Sequence, residues 1–168
     1  MTWGRQGNAG QCSSRDQDQL KNVQQICGAG EAFAAILADG SVVTWGEPNY
    51  GGDSSRVQNQ LRNVQQISAT DSAFAAILAG GSVVTWGDRA YGGDSSGVQD
   101  RLRNVQHISA GDSAFAAILA DGGVVTWGNP HYGGDSSRVQ DQLQNVQQIV
   151  AQRASRVLLL PFWQTEAL

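Results

Sequence analysis

The sequence is poor in several residue types that mark well-known protein classes. It has two cysteines, one methionine and three prolines among 168 residues. Cys12 and Cys27 are too few for a disulfide scaffold, and they lack the spacing of a metal site. We therefore expect two thiols in a reducing compartment. A Cys12–Cys27 disulfide is the alternative.

Charge is also scarce, at 15% of residues with a net charge of −4. This balance argues against a nucleic-acid partner or an anionic membrane surface. No apolar run approaches the roughly 18 to 20 residues of a membrane-spanning helix. The first residues show neither a signal-peptide nor a transit-peptide pattern. We expect an intracellular, soluble protein, for which contact with a membrane complex stays open.

The sequence shows no catalytic constellation. Its two histidines, His107 and His131, have no serine, cysteine or second histidine at the spacing of a triad or a metal site. We predict no catalytic residue, no metal site and no cofactor, and therefore no enzyme.

What the sequence does contain is a repeat of 41 residues, marked by Trp45, Trp86 and Trp127. Three full units span 22–62, 63–103 and 104–144, and the last two are identical at about three quarters of their positions. A fourth unit is split between 1–21 and 145–168. Because a circular fold needs such a division, we predict one repeat domain over 1–168 whose two split halves complete one blade.

Each unit predicts short strands. In the second unit, 73–79 and 82–87 are almost continuously apolar, and 64–69 is a candidate first strand. Gly81 predicts a hairpin turn between the apolar strands. The many alanines of 73–79 indicate that neighbouring backbones approach closely there. The segment after each Gly-Gly-Asp-Ser-Ser fits a short amphipathic helix or an outer edge strand, and Asp53 or Ser54 would be the helix N-cap.

These features predict a mainly β repeat protein, a small propeller-like array of about four blade-equivalents. A β-trefoil and an open β-solenoid are the alternatives.

Residues 105–128 read Val-Gln-His-Ile-Ser-Ala, then Phe-Ala-Ala-Ile-Leu-Ala-Asp-Gly, then Val-Val-Thr-Trp-Gly. This string resembles a repeat of the regulator of chromosome condensation family, whose repeats build β-propellers and also occur in HERC-type ubiquitin ligases. The resemblance covers nearly the whole chain, one unit at a time. It implies a platform for protein contacts. It also implies, as an alternative, nucleotide exchange on a small GTPase.

The repeat departs from that family in two ways. It is shorter than the family's usual blade, which predicts a truncated or helical outermost strand. It also occurs about four times, where that family closes a ring with seven blades.

The aromatic residues and the repeated aspartates are the candidate site residues. The Trp-Gly tryptophans are predicted as packing anchors, although sugar stacking would also explain them. The aspartates are predicted as caps. The structural group is Trp3, Trp45, Trp86, Trp127, Asp53, Asp94 and Asp135. Candidate partner contacts are Tyr50, Tyr91, Tyr132, Phe162 and Trp163. The apolar stretch 157–160 is predicted to complete the fourth unit.

Taken together, the patterns predict a non-catalytic protein-interaction or scaffold module that can serve as an extrinsic subunit of a larger assembly, with a protein partner of unknown identity. A multivalent carbohydrate-binding protein is the first alternative, and a small-GTPase exchange factor is the second.

Overall fold

The computed structural model describes residues 20–151, which form three successive units of three antiparallel strands. Each sheet keeps its strands in chain order. The fold is mainly β, a propeller-like array of repeats, as the sequence predicts. The strands are β1 Val23–Gly28, β2 Ala32–Leu37, β3 Val42–Gly46, β4 Val64–Ala69, β5 Ala73–Leu78, β6 Val83–Gly87, β7 Val105–Ala110, β8 Ala114–Leu119 and β9 Val124–Gly128.

The described strands pair only within their own units, giving three separate antiparallel sheets. The strands of a β-trefoil share one barrel, so this arrangement differs from that alternative. Neighbouring units contact through β2 with β4 and β5 with β7, and also through their first strands. The sheets therefore follow one another as blades.

The hairpin turns need glycine for two reasons. Gly40, Gly81 and Gly122 have φ values of 76°, 72° and 79°, a region that glycine adopts without steric cost. A Cβ on Gly40 would also lie 2.9 Å from the Cα of Asn63 in the next unit. The turn thus closes its own hairpin and supports the neighbouring unit.

An asparagine in the left-handed region joins each unit to the one before it. Asn63 has φ 54°, and its carbonyl accepts the N–H of Ala79 in its own unit. The next N–H, that of Val64, donates to Gly40 of the preceding unit at 2.9 Å. Asparagine tolerates this backbone conformation better than most residues. The equivalent asparagines are Asn22, Asn104 and Asn145.

The core lies between the sheets. The front face of a unit, defined in the second unit by Phe74 and Trp86, packs on the preceding unit. The back face, defined there by Ala75, Ile77 and Val83, packs on the following unit. Both faces of the sheet are covered, which is why its strands are apolar at nearly every position. Ala75 is fully buried in this packing.

The segment after each Gly-Gly-Asp-Ser-Ser forms helical turns, which decides between the two alternatives left open by the sequence. It includes 3₁₀ helices at Gln99–Arg101 and Ser137–Gln142. Other 3₁₀ turns, at Pro48–Tyr50, Arg89–Tyr91 and Pro130–Tyr132, precede the Gly-Gly pairs. No fourth strand is present in the described units.

Several predictions lie outside the described residues, namely those on Trp3, Cys12, Phe162, Trp163 and 157–160. Of the split fourth unit, only residues 20–21 and 145–151 are described. Within 20–151, no helix is long and apolar enough to cross a membrane.

Candidate functional site

The units present two different faces. The loop face comprises 29–31 and 47–53 with their equivalents 70–72, 88–94, 111–113 and 129–135. The two loops of each unit are joined by backbone bonds such as Asp88 N–H to Ser72 O at 2.8 Å. The turn face, at the opposite end of the strands, carries the hairpin turns and the joining asparagines. Because loops on a rigid scaffold usually carry binding, the loop face is the candidate site.

Backbone bonds between units fix the loop face. The N–H of Gly30 donates to Asp71 O at 2.7 Å, and the N–H of Asp71 donates to Asp112 O at 2.9 Å. Three units are therefore linked through one position of the repeat. The loops keep a fixed spacing from unit to unit.

The tryptophans lie between the units. Trp86 is 4% exposed, stacks on Phe74 with ring centroids 5.2 Å apart, and donates its indole N–H to Gly51 O of the preceding unit at 3.0 Å. Trp127 repeats this arrangement with Phe115 and Gly92. Trp45 stacks on Phe33 and is half-buried. Trp86 and Trp127 have no open ring face for a sugar.

The sequence suggested that the three tyrosines are equivalent partner contacts. Their surroundings in the structure differ. Tyr50 and Tyr91 are half-buried and pack against the cores shared with the following units. Tyr132 is 64% exposed. Tyr50 and Tyr91 thus keep part of each ring exposed, and the role of all three tyrosines as partner contacts stays a prediction.

The repeated aspartates form local turns at the start of the helical segments. Asp53 Oδ1 accepts the N–H of Ser55 at 2.9 Å, and Asp94 and Asp135 accept equivalent bonds from Ser96 and Ser137. Each accepts from the residue two positions along, which is the geometry of an Asx turn. These serine hydrogen bonds hold the pKa of each carboxyl below its usual value.

A network that sequence reasoning missed covers the free edge of each third strand. In the first unit, the Thr44 and Ser54 hydroxyls lie 2.9 Å apart, Ser54 donates to Gln58 Oε1, and the Gln58 amide donates to Val42 O. The other two units repeat it. The signal was present in the sequence as Thr, Ser and Gln at fixed spacings of ten and four residues. Side chains satisfy an edge that a fourth strand would otherwise pair.

A buried hydroxyl, that of Thr70, anchors a loop of the second unit and has no counterpart in the first or third unit. Thr70 is fully buried, donates to Tyr91 O at 2.9 Å and accepts the N–H of Ala73 at 3.1 Å. Its equivalents are Ala29 and Gly111, which have no hydroxyl. The loop around Tyr91 therefore has a tether that the sister loops lack.

The loop face is acidic. Its eight carboxylates outnumber the guanidiniums near them: Arg89 lies 3.4 Å from an Asp94 oxygen, and Arg56 and Arg138 act on Asp53 and Asp135. The turn face is mixed, with Asp39 and Asp121 beside Lys21, Arg62 and Arg103. Among the described residues, no three acidic, histidine or cysteine side chains are grouped so as to hold a metal ion. The loop-face carboxylates are Glu31, Glu47, Asp53, Asp71, Asp88, Asp94, Asp112 and Asp135.

A groove opens between the first two units on the acidic side. Asp53 and Arg56 of the first unit line it with Asp88, Arg89 and Asp94 of the second. Groups from two units thus meet in one open, charged depression. Its residues after Trp-Gly, at 47–49 and 88–90, differ most between units.

Residues 105–133 match the sequence model of the regulator of chromosome condensation (RCC1) repeat. The matched segment begins with β7 and ends one residue after Tyr132. The third unit of this chain resembles an RCC1 repeat over the matched residues. The resemblance stated from the sequence is confirmed, and the sister units share the fold of the matched one.

Solved structures with a similar fold include human WBSCR16, which is 22% identical, with a TM-score of 0.46 over 64% of this chain and 34% of that chain. The ectodomain of the Arabidopsis thaliana receptor kinase ACR4 is 20% identical, with a TM-score of 0.45 over 63% and 36%. Prp20p from Saccharomyces cerevisiae is 17% identical, with a TM-score of 0.47 over 63% and 30%, and was described with its binding to Gsp1p and histones. This chain covers about a third of each of them. The comparison with curated proteins finds no match.

Proposed function

We propose that this chain is a protein-interaction module that binds a basic segment of a partner protein on its loop face. The observation that carries the proposal is the charge of that face, where eight carboxylates outnumber the three guanidiniums on it or beside it, those of Arg56, Arg89 and Arg138. A face of one sign attracts a partner of the opposite sign and orients it during encounter.

The construction of the loops supports this role. Three of the carboxylates are held in place by Asx turns, in which each accepts a backbone N–H at 2.9 Å. Backbone bonds between units hold the loops at a constant spacing. A preorganised face loses little conformational entropy when it binds. The residues that vary between units lie in the same loops, where they can distinguish partners.

Two matched charge-reversal variants test the proposal. The first, Glu31→Lys with Asp71→Lys, changes the loop face. The second, Asp100→Lys with Asp141→Lys, makes the same change of net charge at exposed positions away from it. Partners captured from source extract and identified by mass spectrometry are then titrated with each purified variant.

We expect the loop-face pair to weaken the Kd of a captured partner by about tenfold, which corresponds to ~1.4 kcal/mol. The control pair should leave the Kd within about twofold. Because surface charges are screened by salt, raising the ionic strength should reduce the difference between the variants. Equal losses in both pairs, or unchanged binding by the loop-face pair, would place the contact elsewhere.

A further inference from the structure

A hollow of about 400 Å³ opens on the turn face between the second and third units, and the loop-face function does not use it. The start of β4 and the turn after β5 form one side of this hollow, and the start of β7 forms the other. Its volume is that of a small-molecule site. The side chains that give it its chemistry are four carboxamides, those of Gln65, Gln66, Asn104 and Gln106.

Two of these carboxamides belong to β-bulges. The pairing of β4 with β5 changes register between Val64 and Gln66, and that of β7 with β8 changes register between Val105 and His107. Gln65 and Gln106 are therefore the extra residues of the two strands. Bulges turn a side chain away from the regular pleat of a sheet. Both glutamines are exposed, so their amides can contact a ligand in the hollow.

A third carboxamide is held in one orientation by the neighbouring unit. The Ser68 hydroxyl donates to Ile108 O of the third unit at 2.9 Å, and Gln66 Nε2 donates to the same hydroxyl at 3.3 Å. Gln66 Nε2 also lies 3.5 Å from Ile108 O. Because these contacts use the amide nitrogen, the Gln66 carbonyl oxygen is left as an oriented acceptor.

The backbone around the hollow is fixed by bonds across the boundary. The N–H of Val105 donates to Gly81 O of the preceding unit at 2.9 Å, and the N–H of Ala120 donates to Asn104 O at 2.9 Å. These bonds join the two sides of the hollow. A ligand therefore enters a site whose walls are already in place, which reduces the entropic cost of binding.

The turn that borders this hollow differs from its sister turns. Gly80 occupies the position of Asp39 and Asp121. A Cβ on Gly80 would meet no atom within 4 Å, so the space beside this turn is open. The aspartate of the first turn is bound to its own loop, since Asp39 Oδ1 accepts the N–H of Ser41 at 2.9 Å. The second turn therefore adds neither a side chain nor a charge to the hollow.

The lining restricts the chemistry of a ligand. Among the residues that the structure describes, no acidic or basic side chain lines the hollow, so a charged ligand would find no opposite charge. Ile77 and Val105 are only 4% and 3% exposed, so they offer little surface to an apolar ligand. Carboxamides both donate and accept hydrogen bonds, as hydroxyl groups do. A neutral ligand rich in hydroxyl groups fits this lining best.

We propose that this hollow binds an uncharged sugar, whose hydroxyl groups hydrogen-bond to the carboxamides of Gln65, Gln66 and Gln106. The site needs no indole ring, and it lies at the opposite end of the strands from the loop face. Sugar binding here and binding of a basic segment there are therefore independent, and one can fail without the other.

Nuclear magnetic resonance of the ¹⁵N-labelled full chain tests the site. The probes are glucose, galactose, mannose and N-acetylglucosamine, each added separately. The signals followed are the backbone amides of Gly80 and Gly81 and the side-chain amides of Gln65 and Gln106. The two side-chain signals are identified by their loss in Gln65→Ala and Gln106→Ala. We expect at least one of the sugars to shift these signals saturably, while the signals of the loop face stay unchanged.

Two matched double variants measure the part played by the carboxamides. Gln65→Ala with Gln106→Ala should weaken the Kd of that sugar by about tenfold, because two hydrogen-bonding groups are removed. Gln24→Ala with Gln60→Ala removes the same two groups from exposed positions outside the hollow and should leave the Kd within about twofold. Circular dichroism checks that both variants keep the fold. Equal effects of the two pairs would contradict the proposal.

Two further outcomes would overturn the assignment. If none of the four sugars shifts the signals of the hollow saturably, it is not a sugar site. The uncharged peptide acetyl-Gln-Gln-amide is the competing probe, since a peptide also donates and accepts hydrogen bonds. Saturable shifts with this peptide and none with the sugars would assign the hollow to a peptide segment instead.

Discussion

Tyr91 of the second unit and Tyr132 of the third unit hold the same place in the repeat, yet their surroundings differ. Both precede a Gly-Gly pair and both end a short 3₁₀ turn. Tyr91 packs against the core shared with the next unit, whereas Tyr132 is 64% exposed. A neighbouring unit, and not the sequence around the tyrosine, decides whether the ring is buried.

The burial of the tryptophans also depends on a neighbouring unit, in this case the preceding one. Trp86 is 4% exposed because the first unit covers it, whereas Trp45 in the first unit is half-buried. In repeat proteins, stability is a sum of terms within units and terms between neighbours. Identical residues should therefore differ in energetic weight according to their boundary.

The largest expected difference comes from truncating these tryptophans. Trp86→Ala should lower the free energy of unfolding by about 3–5 kcal/mol, the usual cost of removing a fully buried aromatic side chain. Trp45→Ala should cost less, because less of its ring is removed from water. Urea unfolding followed by circular dichroism measures both. Equal costs would mean that Trp45 is as fully covered as Trp86.

A smaller difference in stability is expected between alanine substitutions at two glycines that share one backbone conformation. Gly51 and Gly133 have φ values of 89° and 94°, so alanine should cost about 1–2 kcal/mol at either position. At Gly51 the new Cβ would lie 2.6 Å from the Phe74 ring of the next unit, which adds overpacking of about 1–3 kcal/mol.

At Gly133 no atom lies within 4 Å of an added Cβ. Gly133→Ala is therefore the matched control for Gly51→Ala, and it isolates the cost of the backbone conformation. Thermal unfolding of the pair measures the difference. Equal melting temperatures for Gly51→Ala and Gly133→Ala would mean that the Phe74 ring moves aside without an energetic cost.

The smallest effect should be the same in all three units, because it depends on local turns. Asp53, Asp94 and Asp135 have lowered pKa values in the folded chain. Their contribution to stability is complete above the ordinary aspartate pKa of about 4 and is lost as the pH falls through the lower folded value.

Replacing any one of them by asparagine, which does not titrate, should make the loss of unfolding free energy below about pH 4 slightly less steep. The slope is measured by urea unfolding at a series of pH values. Similar slopes for Asp53→Asn, Asp94→Asn and Asp135→Asn would confirm a local origin. A clear difference between them would point to contacts between units.

The sugar-binding alternative depended on exposed indole rings. The burial of Trp86 and Trp127 and their bonds to glycine carbonyls remove those two rings as stacking surfaces. Sequence reasoning had favoured the packing role, since an aromatic residue in an apolar strand needs a partner for its N–H. It had no means of identifying that partner, because Gly51 lies 35 residues before Trp86.

The sequence by itself determined the local elements of this protein. Apolar runs, turn glycines and the 41-residue period are sufficient to place the strands, the hairpins and the three full units, since each depends on residues close together in the chain. The Asx turns belong to the same class.

Only the tertiary structure decided which surfaces remain available. The burial of Tyr91, the exposure of Tyr132 and the gathering of eight carboxylates on one face depend on how the units stack. Side chains one period apart in the sequence become neighbours in space only after each sheet has packed on the next. The acidic face and the uncovered boundary are therefore properties of the array and not of a single repeat.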